Sequence, residues 1–239
     1  KDKLLFRDSV PLLEQMQQPF YVKYLTVTNH LTYTMDDEDK DPNFATVDSG
    51  NKLVDGYFET AHYLDQAVQQ FYDYLKKSGL YDKSIIVLYG DHYGISGSDN
   101  KAFAPYVGYN GATLNSYDTT MLQRTPFMVD IPGQTSGHII NTYVGQLDVM
   151  PTLEHLLGID TKKYVQFGQD MFASGRQDFV ALRNGGFVTP TITQPSLNGS
   201  FYDTQTGLQI EKLNAQQEQY VKETKQKVSD LLKASDKLN

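Results

Sequence analysis

The clearest periodic pattern in the chain lies between Leu53 and Lys77, where apolar residues recur every three or four positions. This spacing follows the 3.6-residue period of an α-helix that buries one face. Gly79, just beyond the pattern, is typical of a helix C-terminus. The segment is therefore predicted to form one long amphipathic helix. Its apolar positions are Val54, Tyr57, Phe58, Ala61, Leu64, Ala67, Val68, Phe71, Tyr72 and Leu75.

Two segments with strand-like patterns flank this helix. Residues 19–28 are rich in aromatic and β-branched side chains, and residues 84–89 form a short, continuous apolar run. Such a run is expected of a strand that is buried on both faces of a parallel sheet. Strand, helix and buried strand together predict a βαβ unit, whose two strands are parallel. A further strand is predicted at 125–131 and a further helix at 146–157.

The composition changes after about residue 175, where short strand-like segments alternate with glycine-containing turns. A polar, helix-forming segment follows at 215–233. The predicted strands are 179–183, 187–193, 200–204 and 208–211. We therefore predict an α/β protein with two parts: residues 1–175 form a largely parallel central sheet flanked by helices, and residues 176–239 form a small antiparallel sheet with a long terminal helix.

Composition and charge exclude several classes of function. The net charge is −8 and no basic stripe is present, so a nucleic-acid-binding protein is not expected. The absence of cysteine excludes disulfides, thiolate metal sites and cysteine nucleophiles. No apolar run approaches the ~18 residues of a membrane span, and the first residues lack the features of a signal peptide. We interpret the chain as a processed or excised fragment.

The most informative local feature is Gly90-Asp91-His92-Tyr93-Gly94, which directly follows the predicted buried strand. A carboxylate and an imidazole at consecutive positions, with a glycine on each side, are able to bind one divalent ion. An aspartate-capped loop with a hydrogen-bonded histidine explains the residues equally well.

His30 follows the first predicted strand. Because the two predicted strands are parallel, His30 and His92 should emerge at the same edge of the sheet, where ligands bind in such folds. The alternative for His30 is a histidine that closes a strand and bonds to backbone. Ser96 is able to bind a phosphate oxygen, although a turn explains it more simply.

The remaining candidates have simpler structural explanations. His62 and Asp65 share one face of the long helix, which favours a buried hydrogen bond between helix and sheet. His155 lies near a helix C-terminus, where a cation suits the helix dipole. Asp148 and Pro151 are typical of a helix start.

Several motifs together resemble the lipoteichoic acid synthase family, in the sulfatase branch of the alkaline phosphatase superfamily. The most specific is GDHYGIS at 90–96, and LDVMPT at 147–152 is typical of the wider superfamily. The resemblance extends along essentially the whole chain. The other matching strings are TNH at 28–30, TPFM at 125–128 and IPG at 131–133.

The resemblance implies an alkaline phosphatase/sulfatase-like fold and a metal-dependent phosphoglycerol transferase. Such an enzyme transfers glycerol phosphate from phosphatidylglycerol to a growing chain through a phosphothreonine intermediate. It implies that Asp91 and His92 bind Mn²⁺ (or Mg²⁺), and that His30, Ser96 and Tyr93 bind the substrate. It also implies an extracellular location on the membrane of a Gram-positive bacterium, or secretion after cleavage.

The resemblance also places the threonine nucleophile and the first acidic metal ligand upstream of this chain. We therefore expect no catalytic nucleophile within it, and a site completed by the rest of the enzyme, which includes membrane helices. The alternatives are a transferase that adds only the first glycerol phosphate, another sulfatase-type hydrolase or phosphoethanolamine transferase, and a non-catalytic shed domain.

Overall fold

A computed structural model describes residues 1–109 and 113–238 of the chain. The helices are α1 (Asp2–Leu13), α2 (Lys52–Ser78), α3 (Asn100–Phe103), α4 (Ser116–Met121), α5 (Val149–Leu156) and α6 (Ala215–Leu238). The strands are β1 (Ile86–Tyr89), β2 (Phe127–Asp130), β3 (Val180–Ala181), β4 (Phe187–Val188), β5 (Ile192–Gln194), β6 (Phe201–Asp203) and β7 (Gln209–Ile210). Short 3₁₀ helices lie at Asp37–Asp39, Tyr81–Lys83, Gly97–Asp99, Ala104–Val107 and Gln146–Asp148.

The chain divides into two compact units. The first comprises Lys1–Thr113 and Leu122–Gly137, and the second comprises Leu114–Met121 and His138–Asn239. These units differ in extent from the parts 1–175 and 176–239, which were inferred from composition. That division stays a prediction about domain organisation.

The long helix α2 has the boundaries that its sequence predicts. At its start, the side chain of Asn51 accepts hydrogen bonds from the backbone amides of Leu53 and Val54. At its end, Gly79 adopts the left-handed conformation (φ 73°) that favours glycine at this position. Leu75 packs in a small core with Leu13 of α1 and Leu80. The helix is thus a firm support for the loops that cross it.

The predicted first strand is not a strand in the structure. Residues 20–27 have no regular secondary structure, and helix α1 holds this segment in place instead. The buried carboxylate of Asp2 accepts hydrogen bonds from the backbone amides of Val27 (3.0 Å) and Thr28 (3.1 Å). Tyr24 packs edge-on against Phe6 of α1. Tyr21, Leu25 and Val27 of this segment are exposed, so its aromatic and β-branched residues indicated neither a strand ladder nor a fully buried segment.

The strand at 84–89 is present as β1, but it pairs antiparallel with β2, and not parallel with residues 19–28 as predicted. The register places Ile86 opposite Asp130 and Tyr89 opposite Phe127. A continuous apolar run carries no information on strand direction, which explains this difference. The predicted burial on both faces is also not observed, because Ile86, Val87 and Leu88 are half-buried and Tyr89 is exposed. The predicted alkaline phosphatase/sulfatase-like fold class agrees with solved relatives described below. The largely parallel central sheet is not seen within the described residues of the first unit, whose strands β1 and β2 form a two-stranded antiparallel sheet.

The second unit contains the predicted antiparallel sheet. Its five strands are ordered β3-β4-β5-β6-β7, and every neighbouring pair is antiparallel. Phe187 and Ile192 of the sheet form one core with Val221 and Val228 of α6. The predicted segment 187–193 contains two strands, because the chain turns at Pro190, where a backbone donor is absent.

Candidate metal and phosphate site

The loop 90–96, between β1 and the 3₁₀ helix at Gly97–Asp99, is shaped by two close approaches of its backbone. The amide of Gly90 donates to the carbonyl of Pro126 (3.0 Å), and a Cβ at Gly90 would lie 2.7 Å from the Cβ of Thr125. A Cβ at Gly94 would lie 2.4 Å from Cε2 of Tyr57. Both glycines are therefore required by space, which agrees with the tight backbone predicted for this loop.

Asp91 and His92 present their ligand atoms close together at the surface. Nε2 of His92 lies 3.8 Å from Oδ1 of Asp91, and the two side chains are 56% and 72% exposed. Nitrogen and oxygen ligands lie about 2.0–2.2 Å from a bound divalent ion, so two of them on one ion are roughly 3–4 Å apart. The pair therefore has the spacing of two ligands of one metal ion.

The tautomer of His92 also fits a metal ligand. Its Nδ1 lies 2.9 Å from the carbonyl oxygen of Tyr93. A carbonyl only accepts, so Nδ1 carries the proton, and Nε2 of the neutral ring carries the lone pair. A second ring nitrogen bonded to a backbone carbonyl is the usual support of a metal-bound histidine.

His30 lies beside His92 and has the same support. The ring centroids are 5.8 Å apart and nearly perpendicular (81°), and Nδ1 of His30 lies 3.0 Å from the carbonyl oxygen of Leu31. The structure thus brings together the two histidines that the sequence placed at one edge, although the parallel strands that motivated this expectation are absent. Their roles stay predictions.

Tyr93 and Ser96 are exposed on the same loop as Asp91 and His92. The carbonyl of Ser96 accepts the amide of Asp99, which closes the 3₁₀ turn that follows. This matches the turn that was favoured for Ser96, and it leaves the proposed contact of its hydroxyl with phosphate untested.

An open groove of about 350 Å³ begins at His30. Its polar lining consists of three threonine hydroxyls and two oppositely charged side chains, and its apolar lining of Val27, Leu31 and Met35. The polar residues besides His30 are Lys1, Thr28, Thr32, Thr34 and Asp36.

An acidic cluster at one end of this groove is explained by an ion-pair network. Within the described part of the chain, Asp36, Glu38 and Asp39 are a group of three carboxylates whose ligand atoms all lie within 4.8 Å of one another. However, the ammonium of Lys1 lies 2.7 Å from Asp36 and 3.7 Å from Glu38, and it also pairs with Asp39. Hydrogen bonds to Asp36 and Asp39 raise the pKa of Lys1.

Tyr33 is a residue of the site that sequence reasoning missed. It is 5% exposed, and its hydroxyl donates to the carbonyl of Gly94 at 2.7 Å. Burial raises the pKa of this phenol, so it remains a protonated donor at neutral pH. A tyrosine in a loop carries no sequence signal for such a bond. Its position three residues after His30 was the only available hint.

His62 forms a hydrogen bond to a loop. The prediction that it would bond to the sheet was wrong. Its Nε2 lies 3.0 Å from Oδ2 of Asp41, and its ring stacks on Phe44 with centroids 4.0 Å apart. The hydrogen bond with His62 is the largest of several interactions that lower the pKa of Asp41. The pair fastens the segment between the 3₁₀ helix Asp37–Asp39 and α2, away from the metal candidates.

The Asp91–His92 pair on the loop after β1, with His30 beside it, is a candidate metal site of the kind that metal-dependent hydrolases and transferases use. The profile of the sulfatase family matches residues 1–159, and the chain belongs to this family. Members of this superfamily are metal-dependent enzymes.

Several relatives of the chain are named lipoteichoic acid synthases. The chain is 46% identical over 212 residues to lipoteichoic acid synthase 2 of Bacillus subtilis, which covers 89% of this chain and 32% of that protein. It is 42% identical over 239 residues to lipoteichoic acid synthase of Staphylococcus aureus, which covers 100% of this chain and 35% of that protein. The chain thus spans about a third of the length of these relatives.

The fold also matches a solved structure. The crystal structure of the lipoteichoic acid synthase LtaP from Listeria monocytogenes superimposes with a TM-score of 0.82 at 27% identity. The match covers 100% of this chain and 59% of that one. It confirms the predicted fold class. Within the described residues, no helix has the length and apolar character needed to cross a membrane.

Proposed function

We propose that this chain is part of a metal-dependent phosphoglycerol transferase that polymerises glycerol phosphate into lipoteichoic acid. The observation that carries the proposal is the Asp91–His92 pair, with His30 beside it, in a chain that is 42% to 46% identical to lipoteichoic acid synthases. The donor is phosphatidylglycerol, the acceptor is the growing glycerol phosphate chain, and the reaction takes place on the outer face of a Gram-positive membrane.

In this proposal Asp91 and His92 bind one divalent ion, Mn²⁺ before Mg²⁺. The mixed oxygen and nitrogen ligands favour this order, because Mg²⁺ prefers oxygen ligands alone. When bound, the ion lowers the pKa of a coordinated hydroxyl and neutralises charge on the phosphoryl group. The remaining ligands and the threonine nucleophile are expected from the rest of the enzyme, together with its membrane helices.

His30 is proposed to bind the glycerol phosphate. Because its Nδ1 donates to Leu31, its Nε2 accepts a hydrogen bond from a glycerol hydroxyl in the neutral ring and donates to a phosphate oxygen in the charged ring. The groove that begins at His30 offers further hydroxyl groups. Tyr93 and Ser96, exposed on the neighbouring loop, complete the proposed substrate contacts. Local groups of this kind are needed because the net charge of −8 does not attract an anion over a distance.

The metal assignment is testable on this chain by nuclear magnetic resonance of its five histidines. Mn²⁺ broadens the signals of nearby rings, so His30 and His92 should broaden before His62, His138 and His155. Asp91→Ala should abolish this preference. The matched control is Asp82→Ala, because Asp82 is exposed and lies before β1, whereas Asp91 follows it. Equal broadening of all five rings in the wild type would contradict the assignment.

The activity is testable in the full-length enzyme with vesicles of phosphatidylglycerol. We expect His92→Ala to abolish polymer synthesis and His30→Ala to weaken use of the donor while Mn²⁺ binding is retained. Formation of a product with a single glycerol phosphate would identify the alternative transferase that primes the chain. Wild-type polymer levels in His92→Ala would refute the proposed role of the pair.

A further inference from the structure

We infer that Tyr33 is a positioning residue that fastens the loop carrying Asp91 and His92 to the turn carrying His30. The inference deepens the proposed function and rests on it for its catalytic meaning. The observation behind it is that Tyr33 bonds to both segments. Its backbone amide donates to the carbonyl of His30 (2.7 Å), and its hydroxyl donates to the carbonyl of Gly94 (2.7 Å).

Tyr33 is itself held firmly by helix α2. A Cβ at Gly56 would lie 2.3 Å from the carbonyl oxygen of Tyr33, so the backbone of Tyr33 rests directly on the helix. Its ring packs edge-on against Tyr57, the next residue of α2, with centroids 5.3 Å apart and planes at 89°. Tyr33 thus contacts two adjacent residues of α2, and these contacts fix its position on the helix.

The conformation of Tyr33 is unusual and is maintained by these contacts. Its φ is +54°, in the left-handed region that non-glycine residues rarely adopt. A residue remains in this region only where its surroundings determine it, and such positions concentrate at functional sites. Here the left-handed turn directs the side chain toward Gly94 while the backbone amide closes the turn of His30.

The bond to Gly94 acts on the metal candidates through a short path. Gly94 follows His92 by two residues, and the carbonyl that supports Nδ1 of His92 belongs to Tyr93 between them. The bond from Tyr33 therefore fixes the peptide that follows this supporting carbonyl. Groups that support a metal ligand from behind typically change metal affinity by about 10- to 100-fold when they are removed.

Tyr33→Phe removes only the hydroxyl and keeps the ring against Tyr57. The matched control is Tyr24→Phe, which also removes one hydrogen bond, from the Tyr24 hydroxyl to Ser9 Oγ at 2.8 Å. Tyr24 packs against Phe6 of α1 and Phe71 of α2. Both variants are compared with the wild type in isotopically labelled chain, first without metal and then with added Mn²⁺.

Without metal, we expect Tyr33→Phe to shift the carbonyl carbon signal of Gly94 and to increase the backbone motion of residues 92–96, while Tyr24→Phe leaves both unchanged. With Mn²⁺, the concentration that half-broadens the His92 ring should rise by about 10-fold in Tyr33→Phe alone. An unchanged Gly94 signal, or a mobile loop with unchanged Mn²⁺ affinity, overturns the inference.

Different results would refute the proposed metal function and the positioning role of Tyr33. If Mn²⁺ does not broaden His92 in the wild type, the measurement is repeated in the full-length enzyme, which supplies the remaining ligands. Absence of broadening there as well refutes the proposed metal function, and the metal-free comparison alone then decides whether Tyr33 fixes the loop. If the wild-type ring broadens and Tyr33→Phe behaves as the wild type does, the function stands and the role of Tyr33 is refuted.

Discussion

Replacing Gly94 with alanine should displace the loop that carries Asp91 and His92. The new Cβ would lie 2.4 Å from Cε2 and 3.0 Å from Cδ2 of Tyr57, and 3.1 Å from the hydroxyl of Tyr33. Ordinary carbon–carbon contacts are about 3.5–4.0 Å, so the loop or the ring of Tyr57 must move by roughly 1 Å. The backbone of Gly94 has no positive φ, and the whole effect is therefore steric.

The free energy of unfolding should fall by about 1–3 kcal/mol in Gly94→Ala. Forcing a methyl group into a packed site costs about 1–3 kcal/mol. Loss of the bond from Tyr33 adds about 1 kcal/mol. The lower entropy of alanine in the unfolded chain offsets about 0.4–1 kcal/mol. Mn²⁺ affinity should fall as well, because the displaced segment includes the carbonyl that supports His92.

Urea unfolding followed by circular dichroism measures the stability, and the histidine signals measure Mn²⁺ binding. The control is Gly137→Ala, because no atom lies within 4 Å of a Cβ at Gly137 and its φ is not positive, so we expect no loss. Adding Tyr57→Leu should recover part of the loss in Gly94→Ala, since the smaller side chain relieves the overlap. Wild-type stability and Mn²⁺ affinity in Gly94→Ala would refute the packing argument.

Two further predictions concern the half-buried Tyr72 and the buried Asp148. Burial and the nearby Asp130 raise the pKa of Tyr72 to about 12, so the fold favours the neutral phenol. The stability that this shift contributes is complete below about pH 10, the ordinary pKa of tyrosine, and is lost as the pH rises through 12. Between about pH 9 and pH 12, the free energy of unfolding should therefore fall less in Tyr72→Phe than in the wild type. Asp148→Asn should lower the free energy of unfolding by about 1–3 kcal/mol, measured in urea. The change removes one of two carboxylates that pair with the buried guanidinium of Arg176, at 3.3 Å, while Asp178 remains at 3.0 Å.

Local sequence patterns predicted an element well where the signals for that element lie within its own segment. The 3.6-residue period, Asn51 and Gly79 define α2 without help from the rest of the chain. The small sheet packed on α6 was also predictable from local signals, because glycine-containing turns separate its short strands. Pairing was harder. The direction of β1 depends on β2, which follows about forty residues later, and apolar character alone does not contain that information.

The sequence indicated the candidate metal ligands, and it did not indicate the residues that hold their loop. Asp91 and His92 stand between glycines in the sequence, and the need for those glycines is visible in the contacts of Gly90 and Gly94. Tyr33 has no such signal, since its role depends on a left-handed backbone and on a helix twenty residues further along. The expectation that His30 lies near His92 was correct, although parallel strands do not bring them together.

The distribution of burial in this site separates two kinds of mutation. The metal candidates are exposed, with His92 at 56% and Asp91 at 72%, so replacing them removes few packing contacts. The residues that hold their loop are buried, with Tyr33 at 5% and Ile95 at 3%. Changes in the first group should therefore remove metal binding with stability almost unchanged. Changes in the second should lower both together, because the same contacts maintain the fold and orient the ligands.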